Sequence, residues 1–260
     1  MTTVNPYAAP KAAVADETVG RDADFVPGGQ SRPAANGWSW IAEGWELFKR
    51  QPGMWIGIVL LLFVIFVAAA FIPLVGNFAM TLFGPVFAAG IMVGCKALDS
   101  GEDLELGHLF AGFRERTGTL IGVGALYLAA TIAVVIVVSL LMGVGMMTMM
   151  GGDPQAVEAM GITFVLALLI MMALLLPVVM AVWLAAPLVV FHDQGAIDAM
   201  KGSFTGCLKN ILPFLLYSVV LFVLMIIATI PLGLGWLVLG PVFAASIYAS
   251  YRDIYLKPRG

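Results

Sequence analysis

Charge is scarce in this chain. Only 11% of its 260 residues are Asp, Glu, Lys or Arg while 61% are apolar, against about a quarter and a half in soluble domains. That excludes a soluble globular domain, which would have too few polar residues to cover its surface. Cysteine and histidine are rarer still, with two of each. Cys95, Cys207, His108 and His192 fall at one boundary of the apolar runs, but nothing spells C-x-x-C or H-x-x-x-H. Free thiols are therefore expected and a zinc site is not. No G-x-S-x-G, phosphate loop or metalloprotease helix is present, so the expectation is no enzyme, no catalytic or metal-binding residue and no cofactor.

What the sequence has is length without charge. Six apolar runs extend over about 54–71, 78–95, 120–142, 162–191, 212–230 and 234–251, and about 20 residues span a bilayer as a helix. The first run alone holds twelve Ile, Leu, Val or Phe residues, which favour insertion by roughly 4 to 7 kcal/mol. The middle of each run lacks Asp, Glu, Lys, Arg and His, the groups on which proton relays and ion pathways depend, which argues against an ion-coupled pump.

All Lys and Arg fall in the N-terminal region, in 96–116, in 192–209 or after Tyr251. Basic flanks stay cytoplasmic, so six spans predict both termini inside and the turns near Val75, Asp153 and Gly233 outside. The expected class is an all-α, polytopic bundle of six transmembrane helices arranged as three hairpins, in the bacterial inner membrane. Residues 1–35, rich in Ala, Pro, Gly and acidic groups, read as a disordered cytoplasmic tail, either spacer or docking segment. Residues 36–256 form the transmembrane domain and 257–260 a short cytoplasmic tail. The first apolar run begins after about fifty residues of mixed sequence, which does not match a secretion signal.

An amphipathic cytoplasmic helix is expected before each hairpin. In "NGWSWIAEGWELFKRQPGMW" the residues Trp38, Ile41, Trp45 and Phe48 share one helical face, with Asn36 as N-cap. Trp38, Trp40 and Trp45 stand at the mouth of the first span as interface anchors, or pack against the spans' ends. Leu106, Leu109, Phe110 and Phe113 repeat the pattern before the third span, as do Ile197, Met200, Phe204 and Leu208 before the fifth.

The hexapeptide "GPVFAA" occurs twice, from Gly84 and from Gly240, each time about ten residues after an Ile-Pro-Leu turn. The first and third hairpins thus read as parallel copies of one unit. Gly84 with Ala88, Gly90 with Gly94, and Gly240 with Ala244 are small-xxx-small pairs that let helices approach closely in lipid. Pro85 and Pro241 remove donors inside spans. The fourth run, at about 45 Å for thirty residues, exceeds the hydrocarbon core of about 30 Å. A kink is expected near Pro177 and departure from the bilayer near Pro187.

The segments "NPYAAP", "GWSWIAEGWELFKRQP", "IPLVG", "GPVFAAG", "LELGHLFAGFR" and "GPVFAASIYASYRDI" together resemble a family of uncharacterised six-span inner-membrane proteins found largely in proteobacteria. The resemblance covers nearly the whole chain beyond the tail and implies the six-span architecture. It brings no activity, cofactor or catalytic residue.

Two remaining features favour packing or solvation over chemistry. The Met-rich stretch "LMGVGMMTMMGGDP" aligns Met142, Met146 and Met149 or Met150 on one face, where thioethers could hold Cu(I), yet no His or Cys reinforces it. The acidic "DSGEDLE" reads as a solvated turn or a docking edge. The expected partners are membrane lipids and other membrane proteins, not nucleic acid. The alternative function is a transporter for an apolar or amphipathic solute, with a cavity at Pro85, Pro177, Pro187 and Pro241.

Overall fold

The computed structural model describes the backbone of residues 24–150 and 156–257, and their side chains outside 144–160. The turn at Asp153 and residues 1–23 and 258–260 lie outside the described residues, as do the side chains of Glu158 and of the Met-rich face beyond Gly143. Among those described, every extended regular element is a helix. In order come α1 (Asn36–Arg50), α2 (Pro52–Ala70), α3 (Val75–Asp99), a 3-10 helix (Leu106–Phe113), α4 (Thr117–Met150), α5 (Ala156–Trp183), α6 (Ala185–His192), α7 (Ala196–Lys209), α8 (Ile211–Thr229) and α9 (Trp236–Tyr255).

Among the described residues five stretches are long and apolar enough to cross a membrane: Pro52–Ala70, Val75–Asp99, Thr117–Gly143, Gly161–His192 and Ile211–Thr229. The sixth expected run folds as α9 but is not among the five, because its second half carries Ser250, Arg252 and Asp253 and buries Tyr248, Tyr251 and Tyr255. Buried residues gather at the same end, where α1, α6, α7 and the C-terminal turns of α3 and α9 meet. The apolar stretches of α2, α4, α5 and α8 leave most of their side chains outside that core. In lipid this carries no hydrophobic penalty, since hydrocarbon solvates Leu as well as a protein core does.

The two copies of the hexapeptide are used alike. A Cβ on Gly44 of α1 would lie 2.6 Å from the carbonyl oxygen of Val242, and one on Gly112 would press against that of Val86. Both receptors are the third residue of a "GPVFAA" copy, so each copy is a bed on which a glycine of another element rests. The turns preceding them also match. Leu74 and Leu232, each directly after a proline, adopt left-handed φ values of 63° and 54°, which non-glycine residues seldom do.

Three expectations about the amphipathic elements need correction. The N-cap of α1 is Ala35, without a side-chain bond, because the Asn36 amide donates instead to Asp253 at 2.8 Å. The buried face of α1 holds Ile41 and Phe48, as expected, together with Gly37, Trp40, Gly44 and Leu47. Trp38 and Trp45 remain 58% and 42% exposed. The second element is a 3-10 helix that buries Leu109 and Gly112, and α7 buries Ala199, Ser203, Gly206 and Cys207 while Ile197 and Leu208 stay exposed. Small residues thus supply much of the contact and several bulky ones face outward, as close helix approach in lipid favours.

Residues 24–35 are not part of a disordered tail. Phe25 bridges to Leu256, Val26 N–H donates to Tyr255 O at 2.8 Å, and Asn210 donates to Gln30 O at 2.9 Å while accepting from Arg32 N–H at 2.8 Å. Composition hid this strap because its order comes from backbone bonds to α9 and α7, not from an apolar stripe of its own.

The fourth run is continuous through Pro177 and breaks at Leu184, between α5 and α6. Two causes coincide. Pro187 has no N–H for the carbonyl four residues back, and Ser203 of α7 inserts its hydroxyl into the broken turn, accepting from Leu184 N–H at 2.9 Å and donating to Met180 O at 2.7 Å. Leu188, Val189 and Val190 then bury in the core.

Candidate functional site

The most developed surface feature lies where α1 crosses α8 and α9. Two glycines of α1 permit the crossing: a Cβ on Gly37 would lie 2.9 Å from the Tyr217 nitrogen of α8, and one on Gly44 would lie 2.8 Å from the Ser246 nitrogen of α9. Between them Trp40 is fully buried. Its ring lies 4.9 Å from that of Phe214 and 6.0 Å from that of Tyr217, and its indole N–H donates to Asp253 at 2.9 Å. Trp40 is therefore a core residue and not an interface anchor, because this N–H finds its partner inside the protein. A bond of 2.7 Å between Tyr217 Oη and Ser246 Oγ ties α8 to α9 beneath it.

Beyond that tie α8 and α9 leave an apolar groove of about 520 Å³, with Trp38 and Trp45 at one end and Pro231 and Gly235 at the other. A small charged pocket of about 100 Å³ adjoins it, lined by Glu43, Arg50, Asp99 and Arg252 among others. Glu46 belongs to both linings. The pair forms one amphipathic surface, polar on one side of Glu46 and apolar on the other.

Arg252 is neutralised within the charged pocket. Arg252 reaches Glu43 and Asp99, each at 2.6 Å, Tyr248 donates to Asp99 at 3.4 Å, and Arg50 donates to the carbonyl of Leu98. Burial pushes the Glu43 carboxyl above its ordinary range, and the adjacent Arg252 opposes the shift. Fixed pairs of this kind hold α1, α3 and α9 in register and take up the charge of Arg252.

The other expected residues are dispersed. Gly90 and Gly94 of α3 meet the 3-10 helix, a Cβ on each lying within 2.6 Å of His108 O and Leu104 Cδ1 respectively. Gly84 has open space around it, Gly240 touches Val59 at an ordinary 3.7 Å, and Ala88 and Ala244 are half-buried. Pro85, Pro187 and Pro241 are buried on three different helices and Pro177 is exposed, so the four do not share a cavity. His108 accepts from the Glu105 N–H at 3.0 Å. His192 stacks on Phe25 at 3.8 Å and bonds to Tyr251 at 2.6 Å. Cys95 and Cys207 are both buried, and burial raises the Cys207 thiol to about 12. Among the described residues no three His, Cys, Asp or Glu are grouped to hold a metal.

Sequence reasoning missed Glu46 and the groove, since Ala228, Pro231 and Val238 lie far from α1 in the chain. The one signal available was the spacing of Trp38 and Trp45, which places both on one flank of α1.

No family model matches the sequence and no solved structure matches it. It is similar to a protein of Burkholderia thailandensis named "Probable inner membrane protein", being 28% identical over 226 residues that cover 83% of this chain and 82% of that one. The likeness and the apolar helices identify a multi-pass inner-membrane protein of unknown function.

Proposed function

We propose that this is a non-catalytic six-span protein of the inner membrane that acts by binding membrane lipid. The groove beside α1 carries the proposal: it is apolar, it flanks α8, a helix fit to cross the bilayer, and it meets charge only at one end. The solvated end binds much of its own charge in pairs, Arg32 with Asp253 and Arg252 with Glu43 and Asp99. The spans form three hairpins, each entered through a cytoplasmic amphipathic element, with both termini inside.

Packing supports the three-unit organisation. The 3-10 helix before the second pair of spans lies on α3 of the first, α7 before the third pair lies on α5 of the second, and α1 before the first pair lies on α9 of the third. Each unit's entry element rests on the hairpin of the preceding unit, and α1 closes the ring. Such an arrangement leaves the far halves of the spans to lipid and suits a lipid-binding role. Transport through the four prolines has less support, because they do not meet.

Purification of the full chain in mild detergent, followed by lipid extraction and mass spectrometry, tests the proposal. Phospholipid retained at about one or more molecules per chain is expected. Protein that stays folded with no retained lipid, or that copurifies with a protein partner alone, overturns it.

A further inference from the structure

We infer that the groove between α1, α8 and α9 holds one acyl chain of an ethanolamine phospholipid, whose headgroup lies over Glu46 and Lys49. The inference rests on the lipid-binding reading above and specifies its site and headgroup. Volume is the first ground: about 520 Å³ falls within the range of about 300 to 1,000 Å³ typical of small-ligand pockets. The second is the lining, where Trp38, Trp45, Ile227, Ala228, Val238 and Leu239 present ring and aliphatic surface suited to a hydrocarbon chain.

Charge supplies the third ground and selects the headgroup. Glu46 and Lys49 form an exposed ion pair at 2.8 Å beside the groove's polar end. A zwitterionic headgroup carries the complementary pair, so its ammonium can meet Glu46 while its phosphate meets Lys49. Trp45, half-exposed next to Glu46, offers an aromatic face that attracts the same ammonium. An anionic glycerol headgroup has no cation to offer Glu46, the charged residue of the groove lining. Tryptophans at one end and Glu46 as the groove's only charged residue fit a chain entering from the headgroup level.

Delipidated full-length protein in detergent can be titrated with dioleoyl phosphatidylethanolamine or dioleoyl phosphatidylglycerol and observed by native mass spectrometry. The ethanolamine lipid is expected to bind at one site about tenfold tighter than the glycerol lipid, a ratio worth about 1.4 kcal/mol. Ile227→Trp and Val238→Trp fill the groove from opposite walls at positions 54% and 37% exposed, so neither disturbs the core, and each should lower that affinity at least about tenfold. Leu215→Trp, exposed on the same helix as Ile227 but outside the groove, should leave it unchanged. Glu46→Gln should reduce the preference between the two lipids without abolishing chain binding. Native affinity in both groove variants overturns the site, while equal binding of the two lipids overturns the headgroup assignment. Absence of any bound lipid in the unmutated protein would instead remove the lipid-binding reading itself.

Discussion

Gly84 and Gly90 stand six residues apart on α3, in surroundings that could hardly differ more. A Cβ at Gly84 would meet nothing within 4 Å, whereas at Gly90 it would meet the backbone carbonyl of His108 at 2.6 Å. Backbone cannot swing aside as a long side chain can, so the 3-10 helix must retreat if Gly90 gains a methyl. Gly90→Ala is therefore expected to destabilise by about 1 to 3 kcal/mol. Gly84→Ala should be neutral or stabilising by up to about 1 kcal/mol, since alanine favours a helix. Thermal melting in detergent measures both, and equal losses would refute the packing account. The small-residue spacing was legible in the sequence. Which glycine met a backbone was not, because that depends on where the 3-10 helix crosses.

At the level of elements, the strap from residue 24 to 35 is held by Asp253, Lys209 and Asn210 besides its backbone bonds to α9, and Asn210 is the buried one. This fully buried side chain donates to Gln30 O at 2.9 Å and Gly206 O at 2.8 Å and accepts from Arg32 N–H at 2.8 Å. Asn210→Ala leaves those backbone groups unsatisfied, at about 1 to 3 kcal/mol for a buried polar group. Cleavage within 24–35 by limited proteolysis should accelerate, while the spans remain resistant. Unchanged cleavage would mean that the strap is held elsewhere, for example by Arg32 and Asp253 at 2.9 Å. The sequence offered no sign of the strap, since its ordering partners lie about 180 to 226 residues away.

Across the whole molecule, the distribution of basic residues sets the expectation for orientation. Reporter fusions after Gly260 should be active only as cytoplasmic reporters, and insertions at the turns near Val75 and Gly233 only as periplasmic ones. A periplasmically active phosphatase after Gly260 would reverse the orientation. The same measurement tests the expected count of six spans, because an odd number would separate the termini. α9 is polar over its second half and packs there against α1.

Hydropathy by itself determined that the chain enters a membrane, and composition determined that it does so as helices, because backbone groups in hydrocarbon must bond within their own segment. The two copies of "GPVFAA" were visible as text, and so were the Ile-Pro-Leu turns that precede them. What only the tertiary structure decided is what those copies receive: Gly112 on Val86 and Gly44 on Val242. It also decided that Trp40 turns inward while Trp38 and Trp45 turn out, and that the fourth run breaks at Leu184 around the inserted hydroxyl of Ser203. The physical reason is common to all three. Partition into lipid depends on each residue's own chemistry and can be summed along the chain, whereas close packing depends on which backbone approaches which. That is settled by contacts between segments remote in sequence.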